Sequence, residues 1–117
     1  EEIYQMMVAT TEDQDELILE NTTTLKVARW WNRACDIIPC NGGKDIGIQK
    51  ILDYFNFNKE EAMAFGDGGN DISMLKYVGT GVAMGNAKDN VKAIADYITD
   101  SVQEDGIVSA LKHFEIL

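Results

Sequence analysis

The sequence has 117 residues, 45% hydrophobic and 26% charged, with 20 Asp and Glu against 10 Lys and Arg for a formal charge of −10. That length means one domain or less, and it suffices for a real core. So acidic a chain lacks the basic footprint that nucleic acid or an anionic membrane needs, no run nears the about 20 apolar residues of a membrane span, and the balance suits a hard-cation site as well as plain solubility.

The chain begins Glu1-Glu2-Ile3-Tyr4-Gln5, without Met and without a basic n-region. It reads as a cytoplasmic piece of something longer, with no signal peptide. Residues 3–9 read as a strand. Thr11-x-x-Gln14 resembles a capping box that opens a short helix through Leu17 and Ile18. Residues 25–30 alternate and predict a second strand, and Cys35 to Ile38 a third. Pro39 and Asn41-Gly42-Gly43 then punctuate the chain. Cys35 and Cys40 have four residues between them, and the chain has a single histidine, His113, too few soft ligands for structural zinc. Two free thiols in a reducing compartment are the default.

After Gly43 the pattern changes. Ile48, Ile51, Leu52 and Phe55 predict a helix over 44–56, and Asn58-x-x-Glu61 a further capped turn. Ala62-Met63-Ala64-Phe65 is a short buried strand ending at Gly66. Residues 70–77 read as helix, Gly81 to Met84 as strand, 87–95 as helix, and Tyr97-Ile98 as strand. Ile107, Leu111 and Phe114 mark a final amphipathic helix. Strands alternating with helices imply parallel strands joined by helical crossovers. The expected division is residues 1–38 and residues 39–117.

The chemistry concentrates in Phe65-Gly66-Asp67-Gly68-Gly69-Asn70-Asp71. Ligands of open parallel sheets bind beyond the carboxyl ends of the strands. This strand end carries two carboxylates, an amide and three glycines. Asp67 and Asp71 are oxygen donors of the kind Mg²⁺ prefers. The bland reading is a glycine-rich turn with Asn70 or Asp71 capping a helix. The strand–turn–helix context favours a site. The string is neither the G-x-G-x-x-G dinucleotide fingerprint nor an EF-hand loop. Lys44 follows a Gly pair and opens a helix, where the macrodipole disfavours a cation. A residue set against a local rule often has a function.

Lys44-x-x-Gly47-Ile48, residues 63–75, Gly81-Val82-Ala83-Met84-Gly85-Asn86-Ala87, Ala95-Asp96-Tyr97-Ile98-Thr99 and Glu104-Asp105-Gly106-Ile107 together resemble the C-terminal half of the Cof-type haloacid dehalogenase phosphatases. Arg29-Trp30 and Asp36 resemble, more loosely, the end of that family's cap domain. The resemblance implies an α/β fold: a Rossmannoid parallel sheet with flanking helices over 39–117, preceded by a remnant of an α+β cap over 1–38. It implies Mg²⁺-dependent hydrolysis of small phosphomonoesters, sugar phosphates foremost, through an aspartyl-phosphate. Carried over residue by residue, Lys44 would neutralise the phosphate and hold the nucleophile. Asp67 would ligate Mg²⁺, and Asp71 would ligate through water or orient that shell. Asn70 would bond the phosphate or the nucleophile.

The family's nucleophile motif, D-x-D-G-[TS], is absent from these 117 residues. Asp13-Gln14-Asp15 lacks the Gly-Thr continuation and reads as a solvated helix face. The expectation is a chain that is inactive alone, binds Mg²⁺ weakly and self-associates through an uncovered apolar face. The alternatives are a non-enzymatic binding or pseudo-enzyme module of the same fold and, less well supported, a receiver-like Mg²⁺ domain. Arg29, Trp30 and Trp31 are cap-side candidates for substrate contact, with core packing and a half-buried surface ring the stronger reading for the Trp pair. Met6, Met7, Met63, Met74 and Met84 read as core filler.

Overall fold

The computed structural model describes residues 2–117 and contains two three-stranded sheets. The first joins β1 (Met6–Val8), β2 (Leu25–Trp31) and β3 (Ala34–Pro39), with β3 in the middle and both pairings antiparallel. Between β1 and β2 lie a 3₁₀ turn (Glu12–Gln14) and α1 (Asp15–Leu19). The Gln14 amide oxygen accepts the Thr11 N–H at 3.4 Å and faces the Thr10 hydroxyl at 2.7 Å, so the capping pattern read from the sequence starts this segment.

Arg29 ties β2 to α1. Its guanidinium pairs with Asp15, with Nε to Oδ2 at 3.3 Å, and Nη1 donates to the Thr10 carbonyl at 2.8 Å. Asp13 is exposed as expected, but Asp15 is half-buried in this pair and is not part of a solvated face. The β2–β3 register shifts between Arg29 and Trp31. Such an irregularity re-aims side chains, and Trp30 and Trp31 are 36% and 52% exposed, as half-buried surface rings and not as core.

The second sheet has the order β4 (Met63–Gly66), β5 (Thr80–Ala83), β6 (Tyr97–Ile98), all parallel. The helices that surround or precede it are α2 (Lys44–Phe55), α3 (Ile72–Tyr77), entered through a 3₁₀ turn (Gly69–Asp71), α4 (Asp89–Lys92) and α5 (Gly106–His113), with further 3₁₀ turns at Lys59–Glu61 and Val102–Glu104. This is the alternation that the apolar spacing predicts. Gly81, Val82 and Ala83 of β5 are all buried, so the central strand reads as an unbroken apolar run. The core gathers Ala64, Leu75, Val78, Ala83, Ala87 and Val91.

Several expectations need correction. The first strand spans three residues, not 3–9. Met6 pairs with Ile37, so extending β1 backward would bring Tyr4 opposite Pro39, which has no N–H to share. α4 is four residues long, not nine, because the Ala87 N–H bonds the Met84 carbonyl and keeps that stretch a turn. Met6 and Met7 are 44% and 73% exposed, whereas Met84 is buried. α2 forms as predicted, yet Ile51 and Phe55, placed on its inner face by spacing, are each 60% exposed. Cys35 is buried and Cys40 exposed, both as free thiols, and burial pushes the Cys35 thiol pKa up. No helix among the described residues is long and apolar enough to cross a membrane.

Candidate active site

β4 delivers Asp67 at its carboxyl end, and the chain then folds back on itself. A Cβ on Gly66 would lie 2.6 Å from the Asp71 Cβ, closer than side chains approach, so only glycine lets Asp71 return there. Asp71 is 5% exposed. Its Oδ2 accepts the N–H groups of Asp67 and Gly68, each at 3.0 Å, and its Oδ1 accepts the Lys44 ammonium. Burial pushes the Asp71 carboxyl pKa up. The Lys44 ammonium and the N–H groups of Gly68 and Asp67 outweigh that and hold it below the ordinary value of 3.8.

Lys44 is the first residue of α2, and its side chain is half exposed. A cation at that helix end costs about 0.3–1 kcal/mol. A charge-assisted bond to a buried carboxylate is of the size to offset it. The lysine that breaks a local rule is thus held by a specific partner. Gly69 brings the turn against the first sheet: a Cβ there would sit 2.7 Å from the Arg29 carbonyl oxygen of β2.

Asp67 is exposed, and its Oδ2 accepts the Asn86 side-chain amide at 2.9 Å. Asn86 follows β5, so it arises from the same sheet edge. These groups line a cleft of about 470 Å³ together with Asn70, Lys88 and Trp30. A neighbouring cleft of about 590 Å³ runs between the first sheet and the start of α2, and Lys44 and Asn70 line both.

All four residues singled out from the sequence, Lys44, Asp67, Asn70 and Asp71, share the smaller cleft. The bland reading also holds in part, since Asp71 organises its own turn through two backbone N–H groups. Sequence reasoning missed Asn86 and Lys88. The available signal was position: both follow the carboxyl end of β5, beside the end of β4. Trp30 belongs to this cleft too, although packing or a half-buried surface ring was the stronger expectation. Arg29, another candidate for substrate contact, is engaged by Asp15 and by backbone carbonyls.

Among the described residues no three His, Cys, Asp or Glu side chains converge to hold a metal. The donors present are Asp67 and, behind it, Asp71. One or two carboxylates completed by water and phosphate is the set Mg²⁺ accepts, so these residues fit part of such a shell. Asp71 has both oxygens engaged and suits an orienting role better than direct ligation.

The later motif residues hold the surroundings. Asp96 Oδ2 accepts the Gly81 N–H at 2.7 Å, and buried Thr99 donates its hydroxyl to the Gly106 carbonyl at 2.6 Å.

The family described as haloacid dehalogenase-like hydrolase matches residues 1–111. A Bacillus subtilis protein, YkrA, is 40% identical over 116 residues, 99% of this chain and 45% of that protein. The B. subtilis 5-amino-6-(5-phospho-D-ribitylamino)uracil phosphatase YitU is 44% identical over 89 residues, covering 74% of this chain and 33% of its own length. The solved structure of the HAD subclass IIB sugar phosphatase BT4131 superposes with a TM-score of 0.94 at 44% identity, over 100% of this chain and 45% of that one. The chain therefore spans less than half the length of these relatives. With the parallel sheet, the Asp67–Asp71 turn and these matches agreeing, the chain belongs to the haloacid dehalogenase-like hydrolases.

Proposed function

We propose that this chain is the second half of a Mg²⁺-dependent phosphatase acting on small phosphomonoesters, with sugar phosphates the favoured class. The observation that carries the reading is the cleft at the ends of β4 and β5. There an exposed carboxylate, Asp67, and an ammonium anchored on a buried carboxylate, Lys44 on Asp71, line one small space. Phosphoryl transfer commonly uses both kinds of group: a metal cation held by carboxylate, and a fixed positive side chain.

Lys44 binds a phosphoryl oxygen and shields its charge. Asn70 offers its amide N–H to the phosphate. Asp67 holds the cation, and Asp71 fixes both Lys44 and the backbone of Asp67 and Gly68. The cation, when bound, neutralises charge that develops on the transferring phosphoryl group. The nucleophile is an Asp in a D-x-D-G-[TS] segment outside these 117 residues; its carboxylate attacks phosphorus, the alcohol departs, and water hydrolyses the aspartyl-phosphate. The phosphatase names of YitU and BT4131 support the reaction class, and the BT4131 name supports sugar phosphates. Residues 1–38 act as the end of a cap and residues 39–117 as the half-core. The free Cys35 and Cys40 thiols suit a cytoplasmic setting.

The same reading predicts self-association of the chain through the apolar side chains that α2 leaves bare, Ile51 and Phe55, with Phe57 beyond them.

The test is turnover of p-nitrophenyl phosphate with Mg²⁺. The 117-residue chain alone should show none. The same chain joined to a D-x-D-G-T segment of its own gene should turn over, and chelation should stop it. Turnover by the chain alone would overturn the reading, and a gene without D-x-D-G-T would favour the non-enzymatic module.

A further inference from the structure

We infer that Asn86 is a positioning residue that makes Asp67 prefer Mg²⁺ to Ca²⁺, by keeping one Asp67 oxygen occupied. The inference rests on the proposed reading of Asp67 as a cation ligand.

Asn86 is fixed at both ends of its amide. Nδ2 donates to Asp67 Oδ2 at 2.9 Å, and Oδ1 accepts the Val102 N–H at 3.0 Å. A backbone N–H can only donate, so the oxygen must face Val102 and the NH₂ must face Asp67. The far end is itself anchored. Val102 opens a 3₁₀ turn (Val102–Glu104). The Gly106 N–H donates to the Ser101 carbonyl at 3.1 Å, and the Gly85 N–H to the Asp100 carbonyl at 3.0 Å. Thr99, 6% exposed, holds Gly106 from beneath. Asn86 thus connects the Asp67 carboxylate to a turn pinned against the core.

Among the described residues Asn86 is the one side chain that hydrogen-bonds the Asp67 carboxylate. A carboxylate with Oδ2 engaged by an amide offers its other oxygen freely. One oxygen suits Mg²⁺, which takes six ligands at about 2.0–2.1 Å and keeps several waters. Ca²⁺ takes six to eight oxygens and commonly uses both oxygens of a carboxylate. A two-oxygen grip on Asp67 would compete with the Asn86 N–H for Oδ2 and weaken that bond. Asp71 gives no two-oxygen substitute, because its Oδ2 already accepts two N–H groups and its Oδ1 the Lys44 ammonium. The discrimination comes from what the larger ion must give up.

The experiment titrates this chain with Mg²⁺ and, separately, Ca²⁺, following the ¹⁵N-labelled backbone amides of Asp67 and Gly68 by NMR, with thermal unfolding alongside. The variants are D67A, N86A and V102P. Val102 follows Ser101 at φ −69° and ψ 165° and is the first residue of its turn, a position that accepts proline. V102P therefore removes the N–H that orients Asn86 and leaves the side chain in place. D67A should abolish binding of both ions. N86A should reduce the preference for Mg²⁺ over Ca²⁺ by about tenfold, the low end for a residue that orients a metal ligand. V102P should shift it the same way by less, at unchanged thermal stability. Cation shifts that survive D67A, or no shifts at all, would overturn the Asp67 reading and this inference with it. Binding lost in D67A but with an unchanged ion preference in N86A would overturn this inference alone. If N86A does not fold, V102P decides: an unchanged preference there overturns it.

Discussion

α2 and α3 carry similar apolar spacing, yet the spacing accomplishes different things. α3 has 6 residues and buries Leu75 to 1% exposure, whereas α2 has 12 and fully buries none. Ile48 of α2 reaches the core shared with α3, and the Asp45 carboxylate accepts the Ser73 hydroxyl of α3 at 3.1 Å. Further along, Ile51 and Phe55 face outward. The helix is therefore anchored where Lys44 meets Asp71 and bare at its other end. Periodicity states that a face is apolar; it does not state what covers it. In this chain the covered helix maintains the fold, and the bare helix positions a charge.

Leu75→Ala should do the most damage. Truncating a fully buried Leu costs about 3 kcal/mol through lost burial and the cavity left behind. Urea unfolding measures it, and a loss below about 1 kcal/mol would erase the contrast between the helices. Asp71→Asn comes next, at about 2 kcal/mol, from losing charge-assisted bonds to Lys44 and two backbone N–H groups. Its signature is pH dependence. The folded Asp71 carboxyl has a lowered pKa, so on acidification the unfolded chain takes up this proton first. The stabilisation is complete above the ordinary value of 3.8 and vanishes as pH falls through the lower folded value. Unfolding curves from pH 6 to pH 2 should therefore fall less steeply at the acid end in the variant. An identical acid limb would remove the Lys44–Asp71 anchor from the account.

Replacing Ile51 and Phe55 together by Ser should change stability by under about 0.5 kcal/mol, the range of surface substitutions. Light scattering should then report less self-association than in the parent chain. A stability loss like that of Leu75→Ala would mean this face is covered within the chain after all.

Much of this was legible in advance because local rules and tertiary structure agreed. The short apolar runs at Ala64, Phe65, Val82 and Ala83 became parallel strands, and Asn58-x-x-Glu61 became a capped turn with the Asn58 N–H on Glu61 Oε2 at 2.7 Å. Lys44, Asp67, Asn70 and Asp71 were legible because their motif ties each to a strand end or a helix start. Position after β5 hinted at Asn86, but its contacts were not legible: they are a bond to Asp67, 19 residues away, and another to Val102, 16 residues away. Nor was the exposure of Met6, Met7, Ile51 and Phe55, since hydrophobicity does not name a partner.

By itself the sequence determined the family, the alternation of strands and helices, and the four residues that converge on one cleft. The alternation follows from spacing, because the periods of helix and strand act over a few residues; the family and the four residues follow from motifs that resemble those of a known family. Only the tertiary structure decided that Asp71 serves Lys44 and the turn before any cation, that Asn86 holds Asp67, and that α2 lies half bare. Those facts depend on which surfaces and lone pairs remain free after distant segments meet, and that competition is settled in three dimensions.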